Sequence, residues 1–196
     1  MYERKDKFYR KAKAEGFRSR AAYKLIELNK THRLFKKGDR VFDIGCAPGG
    51  FLQVVSEAVG PGGVVAGIDL LDVPAIGRAN VAVIKGDARD PERQTALLDL
   101  LGGPADCILS DMAPNTTGVG FADAFKSFEL ASMVLDLCST HLRPKGNLLV
   151  KVFLGDEFER LRERAEAAFS KVTVTRPEAT RKASCEVYLT GTRRRA

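Results

Sequence analysis

The chain of 196 residues has no tryptophan and only two histidines, and its four cysteines (Cys46, Cys107, Cys138 and Cys185) stand far apart. With no C-x-x-C pair and no His-rich spacing, the residue types that hold zinc are not grouped, and no metal is expected. The even cysteine count does not imply disulfides. Three of the four fall in or beside predicted strands, which reads as small buried thiols in a reducing compartment. No apolar run approaches the roughly 18 residues that cross a bilayer. Charge begins at residue 3, where a signal peptide would place an apolar core. These absences predict a soluble, cytoplasmic protein with no membrane association. Low-complexity linkers and internal repeats are also lacking, and 44% hydrophobic content suffices for one full core, so residues 1–196 are expected to form a single domain.

Charge is unevenly placed. The net charge is +7, yet residues 1–40 hold 14 Lys/Arg against 5 Asp/Glu, residues 176–196 hold 6 against 2, and the middle holds 12 against 18. Two basic segments thus flank a slightly acidic domain. That pattern points to a polyanionic partner, since each phosphate neutralised by Lys or Arg releases counterions. A solvated charged tail is the plainer reading of residues 193–195.

Hydrophobic periodicity gives an alternating chain. Residues 1–15 read as a basic helical arm, and Ser19 as the N-cap of a helix running to His32 with Ala22, Leu25, Ile26 and Leu28 on its apolar side; the arm as a whole covers about 1–33. Strands are predicted at 40–44, 63–69, 80–84, 105–110 and 146–153, with helices at 50–59, 91–101, 122–141 and 156–169. This rhythm means a parallel, doubly wound α/β sheet with helices on both faces. Residues 171–175 and 185–190 are two further strands joined by a polar loop, a closing antiparallel pair. Seven strands, mostly parallel and ending in such a hairpin, distinguish the Rossmann-like class I methyltransferase sheet from a plain dinucleotide fold.

The most informative stretch is Val41-Phe-Asp-Ile-Gly-Cys-Ala-Pro-Gly-Gly-Phe51. A buried strand opens into a turn in which Gly45, Gly49 and Gly50 let the backbone approach a ligand, and a helix start supplies free N–H groups. The spacing is not G-x-G-x-x-G. It resembles motif I of S-adenosylmethionine (SAM) methyltransferases. In such a sheet the ligand lies at the carboxyl ends of the strands, where three acids fall: Asp69, placed to accept both ribose hydroxyls of a nucleoside; Asp87, placed for an adenine amine; and Asp111. Each alone reads more readily as a helix cap or solvated turn, but three at consecutive strand ends favour the ligand site.

Five motifs in order carry a family likeness: Gly16-Phe-Arg-Ser-Arg-Ala-Ala-Tyr-Lys-Leu25, Asp43–Phe51, Ser110-Asp-Met-Ala-Pro-Asn115, Val150-Lys-Val-Phe153 and Ser184-Cys-Glu-Val-Tyr188. From about residue 7 onward the chain closely resembles the FtsJ/RrmJ-type RNA ribose 2′-O-methyltransferases, especially those acting on 23S-type ribosomal RNA. The resemblance implies a catalytic tetrad of Lys24, Asp111, Lys151 and Glu186, and a SAM site including Gly45, Gly49, Phe51, Asp69, Asp87 and Asp111. Phe51 stands where the family often has Trp, and Cys46 where it often has Ala. The implied reaction is methyl transfer from SAM to a ribose 2′-hydroxyl, of a uridine, in large-subunit ribosomal RNA within the 50S particle. No obligate protein partner is implied.

A ribose hydroxyl is a poor nucleophile at neutral pH, so catalysis rests on in-line placement and on directing the hydroxyl proton. Burial and a neighbouring cation, Lys24, are what would let Lys151 act as base; Asp111 and Glu186 oppose that, so Lys151 is expected as base or hydroxyl-steering group, with Lys24 as its partner and substrate anchor. Residues 116–121 read either as a loop closing over substrate or as an ordinary connection. The RNA rim is expected to include Arg18 and Arg20 on one side and Arg176, Arg181 and Lys182 on the other. A transfer-RNA methyltransferase of the same family, a small-molecule methyltransferase and a non-catalytic RNA-binding assembly factor are the competing readings.

Overall fold

A computed structural model describes residues 7–181 and 184–196. Lys182 lies outside them, as do the first six residues of the predicted arm. Five strands run parallel: β1 (Arg40–Ile44), β2 (Val64–Asp69), β3 (Val81–Lys85), β4 (Ala105–Ser110) and β5 (Leu142–Phe153). β6 (Phe169–Thr175) and β7 (Glu186–Arg194) complete the order β3-β2-β1-β4-β5-β7-β6, with β7 inserted antiparallel between β5 and β6. The sheet is the expected seven-stranded, mostly parallel one, with its closing antiparallel pair.

Strand alternation splits the core in two, because successive side chains point to opposite faces. Phe42, Ile44, Ile108, Leu148 and Val150 pack under α4 (Pro91–Leu101), α5 (Gly120–His141) and α6 (Phe158–Ala168). Val41, Leu109, Leu149 and Tyr188 pack under α2 (Ala21–His32) and α3 (Gly50–Val59). The same alternation puts Asp43, Lys151 and Glu186 on the α2/α3 side, two residues from Val41, Leu149 and Tyr188. A short helix α1 (Lys7–Ala14) leads into α2 through Phe8 and Phe17, whose rings meet Tyr23 at 5.9 and 5.6 Å.

Local departures from expectation have physical causes. Ser19 does not cap α2. The residue before the helix, Arg20, already has helical dihedrals (φ −67°, ψ −14°), and Ser19 lies over Gly50, where any Cβ would collide with its hydroxyl. Ile26 is 41% exposed and Lys24 is buried in its place, because the stripe Ala21/Ala22–Leu25–Leu28 turns Lys24 inward and Ile26 out. Cys46 and Cys107 are buried as expected, but Cys185 is exposed, and the third buried thiol is Cys138 on α5. Strand β5 begins at Leu142, earlier than its apolar run, because residues 143–146 bulge out between the pairings Ala105–Leu142 and Cys107–Asn147.

Candidate active site

Two buried lysines meet two carboxylates at the carboxyl ends of β4, β5 and the start of β7. Lys24 is brought by α2, and its Nζ donates to Glu186 Oε1 at 2.5 Å. Lys151 Nζ lies 3.0 Å from Asp111 Oδ1 and donates to the Asp111 carbonyl at 2.5 Å. The antiparallel register supplies the geometry: Lys151 pairs with Tyr188 and Phe153 with Glu186, so both β7 side chains face α2 beside Lys151. All four tetrad candidates therefore come together, as two ion pairs. Lys24, Lys151 and Glu186 are each less than a tenth exposed, and ions so buried stay charged only when paired.

Tyr188 joins the pairs. Its hydroxyl donates to Asp111 Oδ1 at 2.5 Å, and its ring lies 5.6 Å beneath Lys24 Nζ. Burial, with the Asp111 and Glu186 charges, pushes the phenol well above its ordinary range, so it stays a donor. Thr180 donates to Glu186 at 3.3 Å from the loop before β7. Sequence reasoning gave Tyr188 and Thr180 no role; the signal for Tyr188 was its position two residues from Glu186, on the same strand face.

The glycine-rich turn follows β1. Asp69, ending β2, accepts the Ala47 amide and the Leu71 amide, both at 2.8 Å, one on each oxygen. Each oxygen keeps a lone pair for a further donor, as two ribose hydroxyls require. Asp87 is gripped by the Arg89 guanidinium, with Nη2 at 2.5 Å, and these bonds hold its carboxyl below the usual range. Asp43 is completely buried and neither oxygen has a partner. Burial, then the charges of Asp111 and Asp69, push it well above the usual carboxylate range. The three acids thus share one electrostatic neighbourhood. Phe51 is buried in the core beneath the turn, with 4% of its surface exposed.

The glycines accommodate the chain's own side chains. Gly45 (φ +76°) is in the left-handed region against Met112, and Gly49 (φ +106°) lies against Ile76 and Arg18. Arg18 donates to the carbonyls of Pro48 (3.2 Å), Pro74 (2.5 Å) and Ala75 (2.6 Å), and its amide to Gln53 Oε1. It ties the segment leading to Lys24 onto both loops that flank Asp69. Arg20 reaches the Ala179 carbonyl at 3.3 Å and Arg176 the Arg181 carbonyl at 3.1 Å, so the two sides of the expected basic rim meet next to Thr180 and Glu186.

Half of the expected loop 116–121 is anchored. Asp123, in the first turn of α5, accepts the Thr117 amide and hydroxyl and the Gly118 amide, which hold its carboxyl below the usual range. Beyond it Phe121 and Phe125 are 78% and 50% exposed and, with Phe153 and Leu154, line a groove of about 720 Å³ that begins two residues after Lys151. Among the described residues no group of acids, histidines and cysteines is arranged to hold a metal, and no helix is long and apolar enough to cross a membrane.

The model of the FtsJ-like methyltransferases matches residues 17–194. Proteins called ribosomal RNA large subunit methyltransferase E are 44% identical in Myxococcus xanthus (all of this chain, 92% of the relative) and 43% in Methanothermobacter thermautotrophicus (96% and 89%). A Plasmodium falciparum structure described as a ribosomal RNA methyltransferase superposes with a TM-score of 0.80 at 30% identity, covering 91% of this chain and 98% of that one. Fibrillarin of Aeropyrum pernix, solved with bound SAM, shares the fold at a TM-score of 0.60 and 19% identity, over 87% and 76% of the two chains.

Proposed function

The chain belongs to the FtsJ-like methyltransferase family, and from that premise we propose that it methylates a ribose 2′-hydroxyl, of a uridine, in large-subunit ribosomal RNA within the 50S particle, using SAM. The observation that carries the reading is the buried double ion pair, Lys24–Glu186 and Lys151–Asp111, closed by Tyr188. A small-molecule methyltransferase has no need of two lysines held at the mouth of the cofactor site.

The residues present fit SAM. Asp69 keeps one lone pair on each oxygen, and the unpartnered Asp43 lies buried under the turn in the field of Asp69 and Asp111. Such a cluster of acids suits a cationic donor, whose charge would favour the ionised form of each carboxyl. Asp69 would hold the ribose and Asp87 the adenine amine. When bound, SAM supplies a methyl group on a positively charged sulfur with a neutral leaving group.

The rest is positioning by the chain. Two of the three Lys151 donors are engaged, by the carboxylate and the carbonyl of Asp111, which fixes the direction of the nitrogen. Lys151 then steers the 2′-oxygen or takes its proton, while Lys24, held by Glu186, anchors the neighbouring phosphate. Arg20, Arg176 and Arg181 rim the entry, and the exposed Phe121 and Phe125 offer faces on which an unpaired base stacks. A single domain reads little sequence, so specificity comes from the folded shape of the RNA.

The test is methyl transfer from labelled SAM to purified large ribosomal subunits lacking the modification, with transfer RNA in parallel and Lys151→Met as control. Label in large-subunit RNA, lost in the variant, supports the reading. Label confined to transfer RNA replaces the substrate, and SAM binding without transfer to either RNA favours an assembly factor.

A further inference from the structure

The end of the sheet opposite the active site carries a second concentration of positive charge that the reaction leaves unused. The parallel strands bring their carboxyl ends to Asp69, Asp111 and Lys151, so their amino ends form the other end of the molecule. Arg40 opens β1 and Arg143 lies at the start of β5; both meet Asp106, which accepts the Arg40 amide at 2.7 Å and pairs with the Arg143 guanidinium. Lys36 and Lys37 are exposed in the turn before β1. β7 returns the last arginines to the same place. Arg194 Nε donates to the Arg143 carbonyl at 3.5 Å, and the Arg193 amide to Asn147, which itself donates to the Leu34 carbonyl at 2.7 Å. The α2–β1 turn, the β5 bulge and the end of β7 are thus one continuous surface. Of its carboxylates, Asp39 is turned onto the amide of Lys36, and Asp106 divides its oxygens between the amide of Arg40 and the Arg143 guanidinium.

Helix ends do not account for this charge. α2, α3, α4, α5 and α6 finish at this end, and five carboxyl termini of about half a charge each offset only about two or three of the cations. A second observation selects the same surface. Among the described residues three non-glycines have positive φ: Arg33 (52°), Lys145 (65°) and Arg193 (56°). All three are basic, exposed and at this end. Glycine or asparagine is the ordinary occupant of that conformation, and an L side chain there is strained. Arg33 closes α2, where a cation suits the helix dipole. Lys145 follows the end of α5 by four residues and Arg193 lies beside the end of α6, where the Ala168 carbonyl accepts the Arg195 amide, but neither caps a helix, so the dipole favours their charge without accounting for their left-handed backbone. Keeping charge at strained positions is a sign of use rather than of stability.

We propose that this surface is a second RNA-binding site that grips the phosphate backbone of an RNA helix distinct from the strand entering the active site. The proposal rests on the reading of RNA as substrate. Strands of five or six residues at about 3.3 Å each set the two ends about 17–20 Å apart before side chains are counted. A nucleotide seated at Lys151 cannot lay its immediate neighbours there, whereas a folded RNA presents a separate helix. Of the large exposed apolar side chains, Leu70, Leu71, Phe121, Phe125 and Leu154 belong to the active-site end and Leu100, near the end of α4, stands at this one; one leucine is not the apolar face that seats a protein in a membrane interface.

The experiment compares wild type with the triple variant Arg33→Gly, Lys145→Gly, Arg193→Gly, and with Lys36→Gln/Lys37→Gln, which leaves the backbone alone. The probe is a generic 20-base-pair RNA duplex, its binding measured at several salt concentrations. The triple variant is expected to melt no lower than wild type and to bind SAM equally. Its duplex affinity falls about tenfold at physiological salt, and its salt slope drops by about 2.7, at roughly 0.9 per phosphate contact. The lysine pair loses proportionately less, and on large subunits both variants raise KM while kcat holds. Unchanged duplex affinity and slope in both folded variants overturns the proposal, as does loss only of binding to anionic phospholipid vesicles. Duplex binding that depends on these residues in a wild type that methylates no RNA would sink the proposed function and leave the surface standing.

Discussion

Tyr188 turns two ion pairs into one unit, since its hydroxyl holds Asp111 while its ring supports Lys24. Tyr188→Phe is expected to keep the fold and lower kcat on large subunits about tenfold or more, because a hydrogen bond to a charged group is worth about 1.5–3 kcal/mol; wild-type kcat in the variant would deny the hydroxyl any part. Asp43 works in the opposite sense. Its folded pKa lies above that of the unfolded chain, so the native state holds the proton more tightly. As pH rises from about 4, where an ordinary Asp ionises, each unit costs the folded protein about 1.4 kcal/mol until the folded pKa is reached. Asp43→Asn should therefore melt above wild type at pH 7.5, with the gap closing toward pH 4, and should bind SAM more weakly; parallel melting-temperature curves would refute this. Lys151 stood out in the sequence because lysine inside Leu148-Leu-Val-Lys-Val-Phe153 is anomalous without a partner, whereas Lys24, Asp111 and Glu186 were expected as its companions only through the family resemblance. Tyr188 did not stand out, since a tyrosine in an alternating strand needs no explanation, and the Asp111 that it meets is 77 residues away.

At the scale of elements, Arg18 ties the approach to α2 onto the two loops beside Asp69. Arg18→Ala is predicted to raise KM for SAM about tenfold and leave kcat at saturating SAM within twofold. Arg18→Lys should not restore it, because an ammonium cannot fork across three carbonyls; an unchanged KM for SAM would show the tie to be idle. Asp123 does similar work for residues 117 and 118. Asp123→Ala leaves those donors to solvent, so amide exchange across 113–119 should accelerate with little change in melting temperature; unaltered exchange would show the loop to be held by something else. Periodicity exposed nearly every element, β1, β4 and α4 at their observed limits. It misplaced the start of α2 because Ser19 is engaged by Gly50, a contact between segments 31 residues apart that no local pattern contains.

Across the whole molecule, the sequence is basic over residues 1–40 and 176–196 and acidic between them, which makes RNA affinity a salt-dependent quantity. Removing residues 1–15 should raise KM for large subunits and reduce its dependence on salt while leaving SAM affinity intact; an unchanged KM would make the arm a bystander. The parallel order of the first five strands was legible from the alternation of strand and helix. The insertion of β7 between β5 and β6 was not, because hairpin spacing fixes that two strands pair but not on which side the second one lies. That order has a consequence for how the molecule comes into being. β6 pairs only with β7, so neither strand joins the sheet until β7, the last of the seven made, docks on the open edge of β5 and brings Glu186 and Tyr188 with it. Until it does, Lys24 has no counter-ion and Asp111 lacks its phenol. On the mechanism proposed above, completion of the fold and the birth of catalytic competence are a single event, and a nascent or half-folded chain has no means of methylating RNA.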